Sequence, residues 1–500
     1  MYNAKHVATI AMVTVFGLAA LAEGILAQVP QDHQDRIREA VPSEPRVAVD
    51  EPRKVLVWSR AVGFRHSSIP QGAFAMKVMG EQTGAWETTE TDDIQMLTRE
   101  NLHQFDALIL NNTTGDWIRP RDEDMQHFEG SKDEVEHELR HSILEFVANG
   151  GGLVGYHSAG DSNYHWPEFG RLLGGYFDGH PWNAGDTVGI NVNEPNHLLC
   201  ECFDETDFRI TDEIYQFRTP YSRNYLRVLL SLNTDNTDMN RGGLKRTDGD
   251  FAVAWVRTYG EGRVFYSSLG HREDIFWNPT IMTYYRDGIQ YALGDLDVDD
   301  LPSNVVKDEG YETLFDGSDL DRWTFREGGW EIDSEGNMAL VEDGGYIWTK
   351  DAYEDFILDV EFKVAEGTNS GIFFRTDPGN AVQGGFEVQV YDTAANPNPG
   401  RHDAGSLYDA AAPLTNAMKP AGEWNRLILI CQGPRIHGIL NGQVVLDLDI
   451  DTWDTANRNP DGTENKFDTA LKDLPRSGHI GFQDHGDAVW YRNVRVKPLD

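Results

Sequence analysis

Five hundred residues exceed what one hydrophobic core usually organises, so the chain reads as two or more domains. With 40 % of its residues aliphatic or aromatic, spread in short runs, it has no long disordered half. A formal charge of −39 without any basic cluster speaks against nucleic acid as a partner, because phosphate binding needs grouped Lys and Arg.

The chain opens with Lys5 and His6, an apolar run over 7–21 and small residues at Ala20, Ala22 and Ala27, the layout of a secretory signal over 1–27. The run is short for a span and no later segment approaches one, so a periplasmic or secreted protein, free of the membrane after cleavage, is expected. Residues 28–53 carry Pro30, Pro42, Pro45 and Pro52 without apolar periodicity and read as a linker.

Val55-Leu56-Val57-Trp58 then reads as a buried strand, 71–83 as a helix and 107–110 as a second strand. Acidic residues over 122–138 lead into a helix ending near Val147, which Asn149-Gly150-Gly151-Gly152 closes with a left-handed cap. Leu153-Val154-Gly155-Tyr156 is the next strand, and 251–259 pairs with 263–268 around Gly260-Glu261-Gly262. Apolar strands alternating with helices over 54–294 imply an α/β domain with a mostly parallel sheet covered on both faces. In such folds functional groups gather at the carboxyl ends of the strands.

The Asp-rich stretch 295–310, with Pro302 and no periodicity, reads as a second linker. Over 311–500, alternating runs recur at 356–364, 371–375, 386–391, 426–431, 437–440, 444–450, 479–482 and 489–496 with no helix between them, which predicts an antiparallel sandwich. Asn441-Gly442 fits a type I′ hairpin, and Trp323, Trp330 and Trp424 are assigned to the core. Cys200, Cys202 and Cys431 make no disulfide framework, since a bridge between the first two would be strained; all three are read as structural. The loop Asn457-x-Asn459-x-Asp461-Gly462, with Asn465 and Asp468, has the oxygen rhythm of a calcium site. Asp replaces the usual terminal Glu and Pro460 interrupts it, so it is read as a solvated insertion.

Leu314-Phe315-Asp316-Gly317-x-x-Leu320-x-x-Trp323, Asn369-Ser370-Gly371-Ile372, Gly385-Phe386-Glu387-Val388-Gln389, Gly422-Glu423-Trp424-Asn425 and Gly481-Phe482-Gln483-Asp484-His485-Gly486 resemble, in order across the whole domain, the 3-keto-disaccharide hydrolase family. The resemblance implies an all-β concanavalin-like jelly-roll sandwich and a small-molecule carbohydrate substrate. A sugar oxidised at carbon 3 has an acidified hydrogen at carbon 2, so elimination can break the glycosidic bond without an oxocarbenium ion. That chemistry needs a base, donors for the enolate oxygen and an acid for the leaving group. Glu387, His485, Asp392 and His402 are the candidate proton carriers; Asn369, Arg375, Gln389 and Gln483 are the candidate substrate-binding donors. Glu387 and Gln389, two apart on one strand, face the same way. Two alternatives stand beside this: a conventional glycosidase using Glu387 with Asp392, and a non-catalytic carbohydrate-binding sandwich.

Gly63-Phe64-Arg65-His66, Gly155-Tyr156-His157-Ser158-Ala159, Gly179-His180-Pro181, Asp212-Glu213-Ile214-Tyr215 and the run from Gly262-Arg263-Val264 to Gly270-His271 resemble the ThuA-like (trehalose utilisation) family. The resemblance implies a flavodoxin-like α/β fold similar to class I glutamine amidotransferases. Where those enzymes carry a cysteine nucleophile this sequence has His157, which excludes thiol chemistry. His66, His157, His180, Glu213 and His271 form a candidate second pocket, for acid–base work or a divalent metal. No local ligand signature fixes a metal; no cofactor is assigned, and a divalent ion stays open in either domain. No G-x-G-x-x-G follows the first strand, so the oxidation at carbon 3 is expected to occur elsewhere.

Overall fold

The computed structural model describes residues 29–499 apart from residue 342, so the expected signal segment lies outside the described residues. The chain divides into two compact units, Met1–Ser303 and Asn304–Asp500.

In the first unit the strands are β1 (Arg53–Trp58), β2 (Trp86–Thr91), β3 (Ala107–Asn111), β4 (Gly152–Tyr156), β5 (Tyr176–Phe177), β6 (Thr187–Val192), β7 (Phe208–Thr211), β8 (Phe217–Arg218), β9 (Arg227–Leu232), β10 (Ala252–Tyr259) and β11 (Gly262–Ser267). The helices are α1 (Gln31–Ala40), α2 (Ile69–Thr83), α3 (Arg99–Leu102), α4 (Lys132–Ala148), α5 (Pro167–Leu173) and α6 (Pro279–Ala292). One sheet runs β2-β1-β3-β4-β11-β10-β9-β6-β7, while β5 and β8 pair separately. Its first five strands are parallel and follow the flavodoxin-like order. Apolar β3 and β4 are buried along their whole length because helices cover both faces.

Capping sets the helix limits. Ser131 Oγ accepts from the Glu134 amide and Glu134 returns a bond to the Ser131 amide, so α4 starts on a full capping box. Gly84, at φ 66°, ends α2 in the left-handed region that a side chain would resist. Strand β2 has no apolar run to announce it: Trp-Glu-Thr-Thr-Glu-Thr forms an edge strand, held by backbone pairing to β1. The antiparallel extension β9-β6-β7 likewise goes beyond the expected pattern.

The stretch 28–53, expected to be a linker, is packed structure over most of its described length. Helix α1 buries Ile37 and Ala40 in the core, and the Gln290 side chain bonds the backbone of Arg46 and Val47. The second expected linker, 295–310, is also fastened. His197 meets the Asp299 carbonyl and Tyr291 Oη donates to Asp300 within the first unit, while Lys497 Nζ donates to the Asn304 and Lys307 carbonyls within the second.

The second unit is all antiparallel. Its strands are β12 (Glu312–Phe315), β13 (Trp323–Thr324), β14 (Trp330–Ile332), β15 (Met338–Leu340), β16 (Ile347–Thr349), β17 (Phe356–Val364), β18 (Asn369–Thr376), β19 (Phe386–Tyr391), β20 (Asn425–Gln432), β21 (Arg435–Leu440), β22 (Gln443–Asp449), β23 (His479–Phe482) and β24 (Val489–Pro498). A five-stranded sheet, β13-β16-β23-β18-β19, packs on an eight-stranded one, β14-β15-β24-β17-β20-β21-β22 with β12 beside β24. Asn441 and Gly442 both have positive φ, as the two-residue hairpin requires. Trp323 and Trp330 are core residues; Trp424 is only half-buried and lies under the Arg492 guanidinium.

Candidate functional site

Strand alternation builds a polar, aromatic face on the five-stranded sheet. Along β19, Phe386, Val388 and Val390 enter the core, which turns Glu387 and Gln389 to the opposite side. Glu387 lies across from Phe373, and Gln389 across from Gly371. Tyr346, Trp348 and Phe373 form a continuous aromatic wall, with ring centroids 5.3–6.0 Å apart. Two glycines make the room. A Cβ on Gly371 would fall 2.0 Å from Glu387 Oε1, and one on Gly481 would fall 2.3 Å from the Trp348 ring.

The Glu387 carboxyl is the chemically distinctive group. Burial pushes it up to about 7, and the Lys466 ammonium, with Nζ 3.8 Å from Oε2, keeps it from rising further. A carboxyl that titrates near neutrality can both take and return a proton. Lys466 lies 4.3 Å from the Tyr408 ring centroid, and its amide donates to Asp409 Oδ2 at 2.6 Å. Asp409 Oδ1 holds His402 Nε2 at 2.9 Å, and the His402 ring packs on Tyr408 at 5.0 Å. Gln389 Nε2 donates to Asn369 Oδ1 at 2.9 Å, and the Tyr346 hydroxyl bonds the Gln483 side chain. Glu387 thus connects through Lys466 and Asp409 to His402, while Gln389 pairs with Asn369 and Gln483 with Tyr346.

In the first unit a second cluster forms from loops that follow strands. His66 comes after β1, His157 directly after β4, Glu213 after β7 and His271 after β11; their ligand atoms lie within 4.8 Å of one another. His157 has φ 42°, a strained turn that aims its ring inward. Its Nδ1 is 2.8 Å from the Ser268 carbonyl, an acceptor, so Nδ1 carries a proton and Nε2 is the nitrogen turned towards the cluster. Nε2 is 3.5 Å from Glu213 Oε2 and 3.3 Å from His271 Nδ1, which is itself 3.3 Å from Glu213 Oε2. His66 Nδ1 meets Ser158 Oγ at 3.2 Å. Burial, reinforced by His157 and His271, pushes His66 down to about 3. Burial works against the charge of Glu213, yet His157 and His271 outweigh it and hold this carboxyl well below the usual range. His180, half-exposed, places Nδ1 3.2 Å from the other carboxylate oxygen, Oε1. Asp212 is fully buried; it accepts from the Gly270 and Arg272 amides and so fixes the loop that carries His271.

Residues 310–497 match the family model of the 3-keto-alpha-glucoside-1,2-lyase-like domain, and residues 54–292 that of trehalose utilisation (ThuA). A curated 3-keto-disaccharide hydrolase of Bacteroides thetaiotaomicron is 32 % identical over 234 residues, 39 % of this chain and 80 % of that protein. The chain belongs to the 3-keto-disaccharide hydrolase family. A ThuA domain precedes the family's sandwich on the same chain. Among solved structures, a glycosyl-hydrolase-like protein of Parabacteroides distasonis is 32 % identical, covering 38 % of this chain and 99 % of that one, with a TM-score of 0.36. A ThuA-like protein of Bacteroides uniformis is 24 % identical, covering 50 % and 94 %, with a TM-score of 0.39. The protein is a carbohydrate-active enzyme with a small-molecule sugar substrate.

Within the hydrolase sandwich, three expected site residues stand elsewhere. Arg375 is fully buried at φ 50°, and its guanidinium binds the Glu354 and Gly433 carbonyls and Asp355; it ties loops together and has no surface left for a sugar. Asp392 accepts from the Gly367 amide and lines a separate cavity of about 770 Å³ with Lys363, Glu366 and Trp490. Five residues of extended chain separate it from Glu387, roughly 16 Å. Glycosidase carboxyl pairs stand about 5–9.5 Å apart, so Glu387 with Asp392 does not form one. His485 is exposed in the turn after β23.

The loop weighed for calcium spends its oxygens internally. Asn459 Oδ1 accepts from Trp453 Nε1 and Asn465 Nδ2, and Asp461 accepts from Thr463. Lys466 stands in the same stretch, with its ammonium beside Glu387. Lys466, Tyr408, Tyr346 and Trp348 were not anticipated: nothing in the local pattern ties a lysine in a polar loop to a glutamate on a distant strand. Among the described residues the ThuA-domain cluster is the one grouping of ligands suited to a metal. The free cysteines play no part in either site; Cys200 and Cys431 are buried, and burial raises all three thiols to about 12.

Proposed function

We propose that this enzyme is exported and cleaves 3-keto-disaccharides by elimination followed by hydration, with Glu387 as the proton carrier. The observation that carries the reading is a buried carboxyl poised near 7, with one lysine beside it, on an aromatic face lined by amide side chains. The Glu387 carboxylate takes the proton from carbon 2, and the electron pair passes onto the carbon-3 oxygen, where the Lys466 ammonium stabilises it. The pair then forms the bond between carbons 1 and 2 as the glycosidic bond breaks. The departing oxygen keeps the bonding electrons and takes a proton from solvent or from His402, held at the rim by Asp409. Water adds to carbon 1, and Glu387, whose proton has exchanged with solvent once the bond is broken, protonates carbon 2, so the net change is hydrolysis. The signal-like residues 1–27 support export, and the ThuA domain acts on the same substrate or its product.

The test incubates the full chain with a 3-keto-disaccharide and with its unoxidised parent. Cleavage of the keto sugar alone, reduced about 100-fold or more in Glu387→Gln, is the expected result. Equal cleavage of the parent would overturn the reading in favour of an ordinary glycosidase. Binding of the sugar without turnover would leave the sandwich as a carbohydrate-binding module.

A further inference from the structure

We propose that the ThuA domain holds one divalent transition-metal ion of the zinc class, bound by His157 Nε2, Glu213 Oε2 and His271 Nδ1, with His66 closing the fourth direction. The argument is geometric and independent of the Glu387 reading. Ligand atoms bound at about 2.1 Å around a tetrahedral ion stand about 3.4 Å apart. The three acceptor atoms here form a triangle with edges of 3.3, 3.3 and 3.5 Å. The spacing fits a common cation and is long for hydrogen bonds among the three.

The orientation of the groups follows metal-site logic. The Ser268 carbonyl takes the Nδ1 proton of His157, which leaves Nε2 as a lone pair turned into the cluster. Ser158 engages His66 Nδ1, and the His66 ring stands edge-on to both His157 and His271, with centroids 4.8 and 4.9 Å away. His180 holds the second oxygen of Glu213, leaving Oε2 to the cluster, and Asp212 anchors the backbone beside His271. A donor set of imidazoles and one carboxylate suits zinc or cobalt and does not suit calcium or magnesium. The strained turn at His157 gives a reason for histidine here: the position that presents a cysteine nucleophile in amidotransferases presents a ligand nitrogen in this chain.

The full chain, stripped with a chelator and dialysed, is titrated with Zn²⁺ and with Co²⁺. One ion per chain is expected, with the visible absorption of tetrahedral cobalt, and affinity reduced about 100-fold or more in Glu213→Gln and in His271→Ala. Asp274→Asn, outside the cluster, should bind as the parent does. Near-ultraviolet circular dichroism reports whether each variant has kept its packing, and because the two ligand variants lie on different loops, one folded variant suffices for the comparison. Weak, sub-stoichiometric binding by the parent, or unchanged affinity in a folded ligand variant, would overturn the proposal.

Discussion

Glu387 and Gln389 reach their site because one strand turns alternate side chains to one face, whereas His66, His157, Glu213 and His271 meet because four separate loops converge. The first arrangement is local, and its geometry follows from the pleat once β19 is paired. The second depends on packing between segments distant in sequence, with Asp212, Ser158 and Ser268 holding the rings in place. Chemistry differs accordingly. The sandwich isolates one carboxyl beside one lysine and tunes it towards neutrality, while the ThuA domain gathers three histidines around one strongly ionised carboxylate.

The sharpest way to separate the two regions is Glu387→Gln. It should lower cleavage of a keto sugar by about 100- to 10,000-fold while leaving metal binding by the ThuA domain untouched. Loss of both together would break the comparison. Arg375→Ala tests the opposite assignment in the sandwich. Removing this buried cation from Asp355 and two carbonyls should cost about 3 kcal/mol of stability in denaturant unfolding, without changing KM in the folded enzyme.

Stability against pH gives a third test, of similar size or smaller. Glu387 titrates near 7 in the folded chain and near 4.5 when unfolded, so the folded state binds more protons between those values. Stability from this group is complete below about 4.5 and falls as pH rises through 7, by about 3 kcal/mol. Glu387→Gln should remove that decline. Lys466→Met should move the acid limb of kcat/KM upward by about one unit, because the ammonium now favours the carboxylate form. Least affected should be His485→Ala, within about 0.5 kcal/mol in stability and near the parent in rate, since its side chain is exposed in a turn.

Legibility in the sequence follows the same division. The strands of the sandwich were visible because apolar and polar residues alternate, as in Phe386-Glu387-Val388-Gln389-Val390, and the outward pair was visible with them. Strand β2 was hidden because an edge strand needs no apolar run, and α1 because prolines around it suggest a linker while only Ile37 and Ala40 mark its buried face. Arg375 looked like a sugar ligand because its strand and charge are right; only the burial of its guanidinium shows that it binds loops. The five second-pocket residues were legible as parts of separate short motifs, but the distances that single out four of them, with His180 turned to the outer oxygen of Glu213, arise from tertiary packing.

The central claim is that the glycosidic bond breaks by elimination at a proton carried by Glu387. The most direct measurement runs the cleavage of a 3-keto-disaccharide in heavy water and locates deuterium in the released keto sugar. Elimination and hydration place one deuteron at carbon 2, entering at the rate of cleavage and absent when the same sugar is held with Glu387→Gln. Product that retains its original hydrogen at carbon 2 throughout would contradict the account and assign the bond cleavage to direct displacement.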